Sequence, residues 1–169
     1  MNRGQVFGEQ RPGERSDDLR IKSRKPCVLI VEDDTRVREL IAMLMQSEGF
    51  EAVELADGME ALNYLAASHV YHREVRRPDL VIADIQMPSF SGLDLLMGMR
   101  ESQVRPPVML VTGITDEEMH SEARRLGAAR VVSKPFDVEY FLCAVDECLA
   151  TPGMEAIVEP DIRTEPIDA

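Results

Sequence analysis

Five short apolar runs, each followed by an amphipathic stretch, divide the middle of the chain into repeated strand–helix units. The strands are predicted at residues 27–31, 51–55, 79–83, 107–111 and 129–133. The first, third and fourth runs are almost wholly apolar, as expected of strands covered on both faces, whereas the second alternates and belongs at an edge. Alternating strands and helices favour right-handed crossovers and a parallel sheet. The sequence therefore predicts an α/β fold, doubly wound, with helices on both faces of the sheet.

The stretches between the strands carry the signals of amphipathic helices. The first helix is predicted to bury one apolar face and to stop at Gly49. The residues of that face are Val37, Leu40, Ile41, Leu44 and Met45. The corresponding face of the last helix is Val138, Phe141, Leu142, Val145 and Leu149. Predicted N-caps are Asp57, Ser91 and Thr115, each with an acid three positions later, and Asp137 for the last helix.

Length and charge divide the chain into a domain and two tails. The 169 residues carry a net charge of −12, and that length favours one domain. Residues 1–25 are net +3 and predicted to be a disordered arm, and residues 151–169 are net −4 and predicted to be a disordered acidic tail. The domain is assigned to residues 26–150, at net −11. Because such a domain repels a phosphate backbone, we expect no direct nucleic-acid binding.

Several classes of protein are disfavoured by what the sequence lacks. No stretch approaches the roughly 18 to 20 apolar residues that a membrane span requires. Residues 1–10 lack the apolar core of a secretory signal, so a cytoplasmic protein is expected. Cys27, Cys143 and Cys148 form no Cys-x-x-Cys pair, and we expect reduced packing residues. The residues after the last predicted helix are too few for an output domain.

Polar residues stand where four of the predicted strands end. Glu32 and Asp33 follow the first strand, Asp84 the third, Thr112 the fourth and Lys134 the fifth. The carboxyl ends of parallel strands face one crevice, so these side chains are predicted to converge. Carboxylates about 4 Å apart repel by roughly 4 kcal/mol per pair at an effective dielectric of 20, so protons or a divalent cation must compensate. Mg²⁺ suits such an oxygen-only site.

Phosphoryl transfer gives each of these groups a role. Asp84 is the best candidate for a nucleophile because it lies at the central third strand. Lys134 is a point charge that can pair with a phosphate. Thr112 can donate its hydroxyl to a phosphoryl oxygen and so draw in the loop that leads to the fourth helix.

Four short strings, in order and at compatible spacing, resemble a known family. They are Val31-Glu32-Asp33-Asp34, Asp84-Ile85-Gln86-Met87-Pro88 with Gly92, Val111-Thr112-Gly113 and Lys134-Pro135-Phe136. Over about residues 26–150 the chain resembles the receiver domain of two-component response regulators. The resemblance implies a flavodoxin-like sheet of five parallel strands in the order 2-1-3-4-5. It also implies that a histidine kinase or a histidine phosphotransfer protein supplies the phosphate.

The resemblance assigns roles to individual residues. It implies that Asp84 is the phosphoacceptor, that Asp33 and Asp84 bind Mg²⁺ directly, and that Glu32 acts through water. The backbone carbonyl of Gln86 would complete the protein ligands. Asp34 is then interpreted as the cap of the first helix. The Lys134-Pro135 bond is commonly cis in the family.

Two departures from the family pattern limit what can be carried over. Val131 stands three residues before Lys134, where the family usually has a Tyr or Phe whose rotation follows the threonine. Coupling would then run through the Thr112 loop and the fourth helix. The connection over residues 69–77 is longer than usual and holds His69 and His72, which we interpret as an extended helix end and an exposed loop. Its arginines, a candidate partner contact, are Arg73, Arg76 and Arg77.

These observations favour a single-domain response regulator that switches an unknown downstream protein. It would not be an enzyme beyond slow autophosphorylation from small phosphodonors and autodephosphorylation. One alternative is a receiver-like docking module that works without phosphate, which Val131 supports. Another is a metal-dependent phosphohydrolase, although Gln86 stands where the second acid of its Asp-x-Asp motif is needed. A flavin binder is disfavoured because Glu32-Asp33-Asp34 would repel its phosphate.

Overall fold

The computed structural model describes residues 24–71, 73–102, 104–114 and 116–150. Residues 1–23 and 151–169, which include nearly all of both predicted disordered tails, lie outside the described residues, as do His72 and Thr115. None of the helices in the described ranges is long and apolar enough to cross a membrane.

Within residues 24–150, apart from the three undescribed positions, five strands alternate with five helices, as predicted. The strands are β1 (Cys27–Val31), β2 (Glu51–Leu55), β3 (Leu80–Asp84), β4 (Val108–Thr112) and β5 (Arg130–Ser133). The helices are α1 (Thr35–Ser47), α2 (Gly58–Val70), α3 (Gly92–Met99), α4 (Glu117–Leu126) and α5 (Val138–Ala150). The last three strands begin one residue later than predicted. Asp84 and Thr112 belong to β3 and β4, because each still pairs with the neighbouring strand.

The five strands form one parallel sheet in the order β2-β1-β3-β4-β5, which confirms the predicted topology. The alternating strand β2 lies at an edge. Val31 pairs with Ala83, so Glu32 leaves β1 level with Asp84 at the end of β3. In the same way Asp84 pairs with Val111, and Thr112 pairs with Ser133 just before Lys134. The register therefore brings all five predicted site residues to one edge of the sheet.

The side chains of the central strands alternate between two buried cores. One core lies between the sheet and helices α2, α3 and α4, and the other between the sheet and helices α1 and α5. Leu29 and Val31 of β1 point into the first core, whereas Val28 and Ile30 point into the second. This arrangement is the predicted doubly wound α/β fold, with helices on both faces.

Most helix ends follow the predicted capping residues. Asp34 accepts hydrogen bonds from the amides of Arg36 and Val37, and Asp57 accepts one from Glu60. Ser91 forms a full capping box with Asp94, whose pKa is lowered by the hydrogen bonds from the Ser91 hydroxyl and amide. Asp137 accepts from two amides at the start of α5. The predicted cap Thr115 is wrong, because α4 is capped one residue later, by Asp116.

Two residues of the predicted apolar helix faces are exposed instead. Leu40 on α1 is 61% exposed and Val138 on α5 is 51% exposed. The buried stripe of α1 is centred on Ile41 and includes Ala42, and that of α5 includes Ala144 and Cys148. These small residues let the helix backbones approach the sheet. Each helix is therefore turned so that the larger residue at the margin of its apolar face, Leu40 or Val138, points to solvent.

The cysteines are free, but only two are packing residues. Cys27 and Cys148 are buried, and burial raises the pKa of the Cys148 thiol to about 11, so this thiol stays protonated at neutral pH. Cys143 is exposed on α5, which corrects the prediction that all three pack in the core.

Gly92 is required by a close approach of α3 to the end of β3. A Cβ at residue 92 would lie 2.5 Å from the carbonyl oxygen of Asp84 and 2.9 Å from Leu110 Cδ2. At Gly98, on the same helix, the nearest atom would be the flexible Leu62 Cδ1 at 2.7 Å. The Leu62 side chain can move away from a new Cβ at residue 98, whereas a Cβ at residue 92 would displace the backbone of Asp84.

We therefore expect Gly92→Ala to cost about 1–3 kcal/mol of unfolding free energy, as overpacking does elsewhere. Gly98→Ala should cost less, because Leu62 can change rotamer and alanine favours the helix. Urea unfolding of both variants, monitored by circular dichroism, measures the difference. Equal losses would show that the Asp84 backbone does not set the requirement for glycine.

Candidate functional site

Acidic side chains from two neighbouring strands meet at the carboxyl edge of the sheet. Carboxylate oxygens of Glu32, Asp33 and Asp84 all lie within 4.8 Å of one another. Glu32 and Asp84 are 2% and 7% exposed, whereas Asp33 is exposed. The cluster is therefore open to solvent on the Asp33 side and closed on the other.

Lys134 joins the two buried acids of this cluster. Its Nζ donates to Glu32 Oε2 at 2.7 Å and to Asp84 Oδ2 at 2.8 Å. Its main-chain amide donates to the carbonyl of Thr112 at 2.6 Å, which fixes the start of the connection from β5 to α5. The Lys134-Pro135 bond is cis.

The pKa values of this trio reflect burial and mutual charge. Burial raises the pKa of Glu32, and the charge of Asp84 adds to the rise, which the hydrogen bond from Lys134 only partly offsets. Burial alone would lower the pKa of Lys134, but the hydrogen bonds to Asp84 and Glu32 outweigh it and the pKa is raised overall. The ammonium therefore remains charged at neutral pH.

The three carboxylates face a single ammonium, so the cluster has an excess of negative charge. Its ligand atoms are all oxygens, and one side is open to solvent. A hard divalent cation such as Mg²⁺ fits this donor set and would remove the excess charge. The predicted ligands Glu32, Asp33 and Asp84 are therefore brought together as the sequence predicts.

Asp84 is held at both of its carboxylate oxygens. Oδ2 accepts a hydrogen bond from Lys134 Nζ, and Oδ1 accepts one from the main-chain amide of Gln86 at 2.9 Å. The second bond forms across the first turn of the loop that follows β3, so the carboxylate orientation depends on that loop. Gln86 itself is exposed, at the turn where its carbonyl is the predicted fourth ligand.

Thr112 ends β4 next to the cluster and is fully buried. Its Oγ1 accepts a hydrogen bond from the amide of Ile114 at 3.0 Å, within its own loop. A hydroxyl that accepts one bond can still donate its proton. The Thr112 hydroxyl is thus bonded to the loop that leads to α4, and the Thr112 carbonyl accepts from the Lys134 amide. Among the residues that the structure describes, Thr112 forms no hydrogen bond with the three acids.

Two supports of the site were not predicted from the sequence. Arg38 Nη1 donates to the carbonyl of Glu32 at 2.7 Å, and its Nε lies 3.7 Å from Glu54 Oε2, so α1 holds the main chain of the acid cluster. In the loop after β3, Ser89 has a φ of +69°, and the Phe90 amide donates to the Pro88 carbonyl at 2.8 Å in a γ-turn.

The γ-turn places Phe90 against the first residue of α2. A Cβ at Gly58 would lie 2.4 Å from Phe90 Cδ1. The sequence signal for this contact is the glycine directly after the cap Asp57, although nothing local identifies its partner. The contact fastens the loop that carries Asp84 and Gln86 to the neighbouring helix.

Val131 and the long connection after α2, the two departures from the family pattern, are both packed against the domain. Val131 is half-buried opposite Leu110 and packs against the core beneath α2, α3 and α4. In the longer connection, α2 ends at Val70 and His69 Nδ1 lies 3.4 Å from Arg77 Nη2. Arg76 forms an ion pair with Glu51 of β2, so this arginine holds the connection against the sheet.

Fold and site together define an α/β domain with an acid cluster at the switch in strand order, next to β1 and β3. A family model described as the response regulator receiver domain matches residues 28–146. The chain belongs to the response regulator receiver domain family. Members of this family are signalling switches and not classical enzymes, and they usually bind Mg²⁺.

Individual relatives agree with this assignment. Regulatory protein AtoC of Escherichia coli (strain K12) is 34% identical over 128 residues, which are 76% of this chain and 26% of that protein. The chain thus spans about a quarter of that relative. Sporulation initiation phosphotransferase F of Bacillus subtilis (strain 168) is 30% identical over 122 residues, covering 72% of this chain and 92% of that protein.

A solved structure shows the same fold. The Vibrio cholerae chemotaxis protein CheY4 superposes with a TM-score of 0.62 at 28% identity, covering 74% of this chain and 99% of that one.

We expect Mg²⁺ to raise the melting temperature of the protein, because a ligand that binds only the folded state stabilises it by mass action. Asp33→Asn should abolish most of this rise while leaving the metal-free protein at least as stable, since it removes a repelling charge. Asp146→Asn, on the exposed face of α5, is the matched control. Thermal melts over a MgCl₂ series at constant ionic strength provide the measurement, and an undiminished rise in Asp33→Asn would contradict the assignment.

Proposed function

We propose that this chain is a single-domain response regulator that is phosphorylated on Asp84 by a histidine kinase or a histidine phosphotransfer protein with Mg²⁺. The phosphorylated form would act as a switch on a partner protein. The observation that carries the proposal is the bridging of Glu32 and Asp84 by Lys134, in a carboxylate cluster with excess negative charge.

The residues of the site divide into ligands and phosphate contacts. Asp33, Asp84 and the backbone carbonyl of Gln86 would hold Mg²⁺ directly, with Glu32 acting through water. Bound Mg²⁺ supplies charge neutralisation at the phosphoryl oxygens. The raised pKa of Lys134 keeps its ammonium available to pair with the phosphate.

Phosphoryl transfer to Asp84 needs an ionised and oriented carboxylate. The hydrogen bonds from Lys134 Nζ and from the main-chain amide of Gln86 hold the two oxygens of this carboxylate and fix its orientation. One carboxylate oxygen attacks the phosphorus of phosphohistidine and forms the new P–O bond. The P–N bond breaks, and the imidazole nitrogen keeps the electron pair and takes up a proton. Lys134 then exchanges its bond to Asp84 for one to a phosphoryl oxygen.

The readout of phosphorylation is expected at the Thr112 loop. If the Thr112 hydroxyl donates to a phosphoryl oxygen, its bond with the Ile114 amide transmits the movement to the loop before α4. Val131 has no ring to rotate, so the switch would work through this loop and the surface near α4, β5 and α5. Reversing a 1:99 equilibrium requires about 5.5 kcal/mol of differential stabilisation, which several phosphate contacts can supply.

The single-domain part of the proposal is supported by the length of one relative. The relative named as a sporulation initiation phosphotransferase is matched over 92% of its length, so the family includes a protein that is almost entirely this domain. We assign the domain to residues 26–150 and expect a cytoplasmic protein with no direct contact to nucleic acid. Its own chemistry would be limited to slow autophosphorylation and autodephosphorylation.

A docking module that works without phosphate is the second candidate, and Val131 is the observation that favours it. The phosphohydrolase is not supported, because Gln86 occupies the position where a second acid would protonate a leaving group.

Incubation with acetyl phosphate and Mg²⁺ separates the two candidates. We expect intact mass spectrometry to show one added phosphoryl group on the wild type and on Asp146→Asn, and none on Asp84→Asn, which lacks the nucleophile. Omission of Mg²⁺ should reduce the addition by at least about tenfold, given the usual size of such electrostatic contributions. Absence of the adduct from the wild type would favour the docking module.

Thr112→Val tests the readout separately from the chemistry. Valine keeps the volume but removes the hydroxyl, so the variant should still be phosphorylated while the amides of residues 113–120 no longer change their hydrogen exchange on phosphorylation. Thr112→Ser, which keeps the hydroxyl, is the matched control. A phosphate-dependent exchange change of wild-type size in Thr112→Val would show that the signal leaves by another route.

A further inference from the structure

An apolar groove of about 240 Å³ lies at the end of the sheet opposite the acid cluster. It is formed by the last turns of α3 and α4, the first residue of β4 and the segments that lead into β4 and β5. Leu96, Met99 and Leu126 provide apolar walls, and Ala129 directly precedes β5. Arg100 and Arg105 also line it, so the groove is a hydrophobic trough with positive charge along one side.

The two arginines of the groove bind main-chain carbonyls, whereas the nearby arginines of α4 pair with carboxylates. Arg100 Nη2 donates to the carbonyl of Arg125 at 3.2 Å, and Arg105 Nε donates to the carbonyl of Ser102 at 3.0 Å. Within the ranges that the structure describes, neither forms an ion pair with a carboxylate. Nearby Arg124 and Arg125, by contrast, pair with Glu117 and Glu122. The groove therefore favours a ligand that combines apolar side chains with carboxylates.

The C-terminal end of α5 lies beside this groove. Glu147, in the last turn of α5, forms an ion pair with Arg130, which directly follows the groove residue Ala129. Helix α5 ends three residues after Glu147, at Ala150. Ile157 follows seven residues later, and an extended chain of that length spans up to about 23–25 Å. The segment after α5 therefore begins at the same end of the sheet as the groove.

The sequence of that segment matches the chemistry of the groove. Residues 155–162 read Glu-Ala-Ile-Val-Glu-Pro-Asp-Ile, with three acids, three branched aliphatic residues and no basic residue. The N-terminal segment, residues 1–25, is net positive and would be repelled by Arg100 and Arg105.

We propose that residues 155–162 of this same chain dock into the groove between α3 and α4. Ile157 and Val158 fill the apolar trough, and the flanking carboxylates pair with Arg100 and Arg105. This assignment does not depend on phosphorylation or on the acid cluster.

Hydrogen exchange of the full chain, read by mass spectrometry at residues 94–100 and 123–129, tests the docking. In Ile157→Asp/Val158→Asp, exchange at these amides should accelerate by about three- to tenfold, because the segment no longer protects them from local opening. Arg100→Glu/Arg105→Glu should act similarly, and adding Glu155→Arg/Glu159→Arg should restore protection. Arg36→Glu, an exposed charge reversal in the first turn of α1, is the control and should leave these amides unchanged.

Two results would overturn the docking. The first is wild-type exchange in the Ile157→Asp/Val158→Asp variant at both sets of amides. The second is protection that grows with protein concentration together with a larger mass in light scattering, which would assign the groove to a second copy of the chain. The charge-repair variant distinguishes true docking from local damage, because a damaged Arg105 loop would not recover when the acids are reversed.

Discussion

Repulsion among the carboxylates at the carboxyl edge of the sheet is the constraint on which the rest of the site depends. Glu32 and Asp84 are almost fully buried, and each lies within 4.8 Å of Asp33. Two charges 4 Å apart repel by about 4 kcal/mol at an effective dielectric of 20. One ammonium, on Lys134, stabilises both buried acids but leaves the cluster with excess negative charge. That remaining charge favours a divalent cation at this edge, and the proposed phosphorylation of Asp84 would use the same cation.

The acid cluster is positioned mainly by contacts to the main chain. Arg38 binds the carbonyl of Glu32, the Lys134 amide binds the carbonyl of Thr112, and Gly92 lets α3 lie against the carbonyl of Asp84. Because these contacts join different strands and helices, the relative positions of the carboxylates follow from the register of the sheet. Preorganised groups of this kind need little rearrangement when a ligand arrives.

The sequence predicts the alternation of strands and helices and the convergence of Glu32, Asp33 and Asp84, because apolar runs and the polar residues that follow them are local patterns. The predicted ends of β3 and β4 fall one residue before Asp84 and Thr112, since hydrophobicity does not report that a polar residue still pairs with the next strand. The apolar pattern places Leu40 and Val138 on buried faces because it weighs large side chains above the small residues Ala42 and Ala144, which are the buried ones. The γ-turn at Ser89 and the contact of Phe90 with Gly58 depend on tertiary packing, because the glycine is a local signal that does not identify its partner.

Strand β4 runs between the groove and the acid cluster, because Val108 lines the groove and Thr112 ends beside the acids. It is fully buried and paired on both sides, with β3 and β5, so sliding it would break two ladders and disturb both cores. A change at Thr112 is therefore expected to leave the sheet through the loop at Ile114 and enter α4. That helix begins near the acid edge, after its cap Asp116, and ends at Leu126 in the groove wall. The sheet is rigid, whereas α4 runs from the loop beside the acid cluster to the groove. We therefore expect a movement at the acid cluster to reach the groove through a shift of α4.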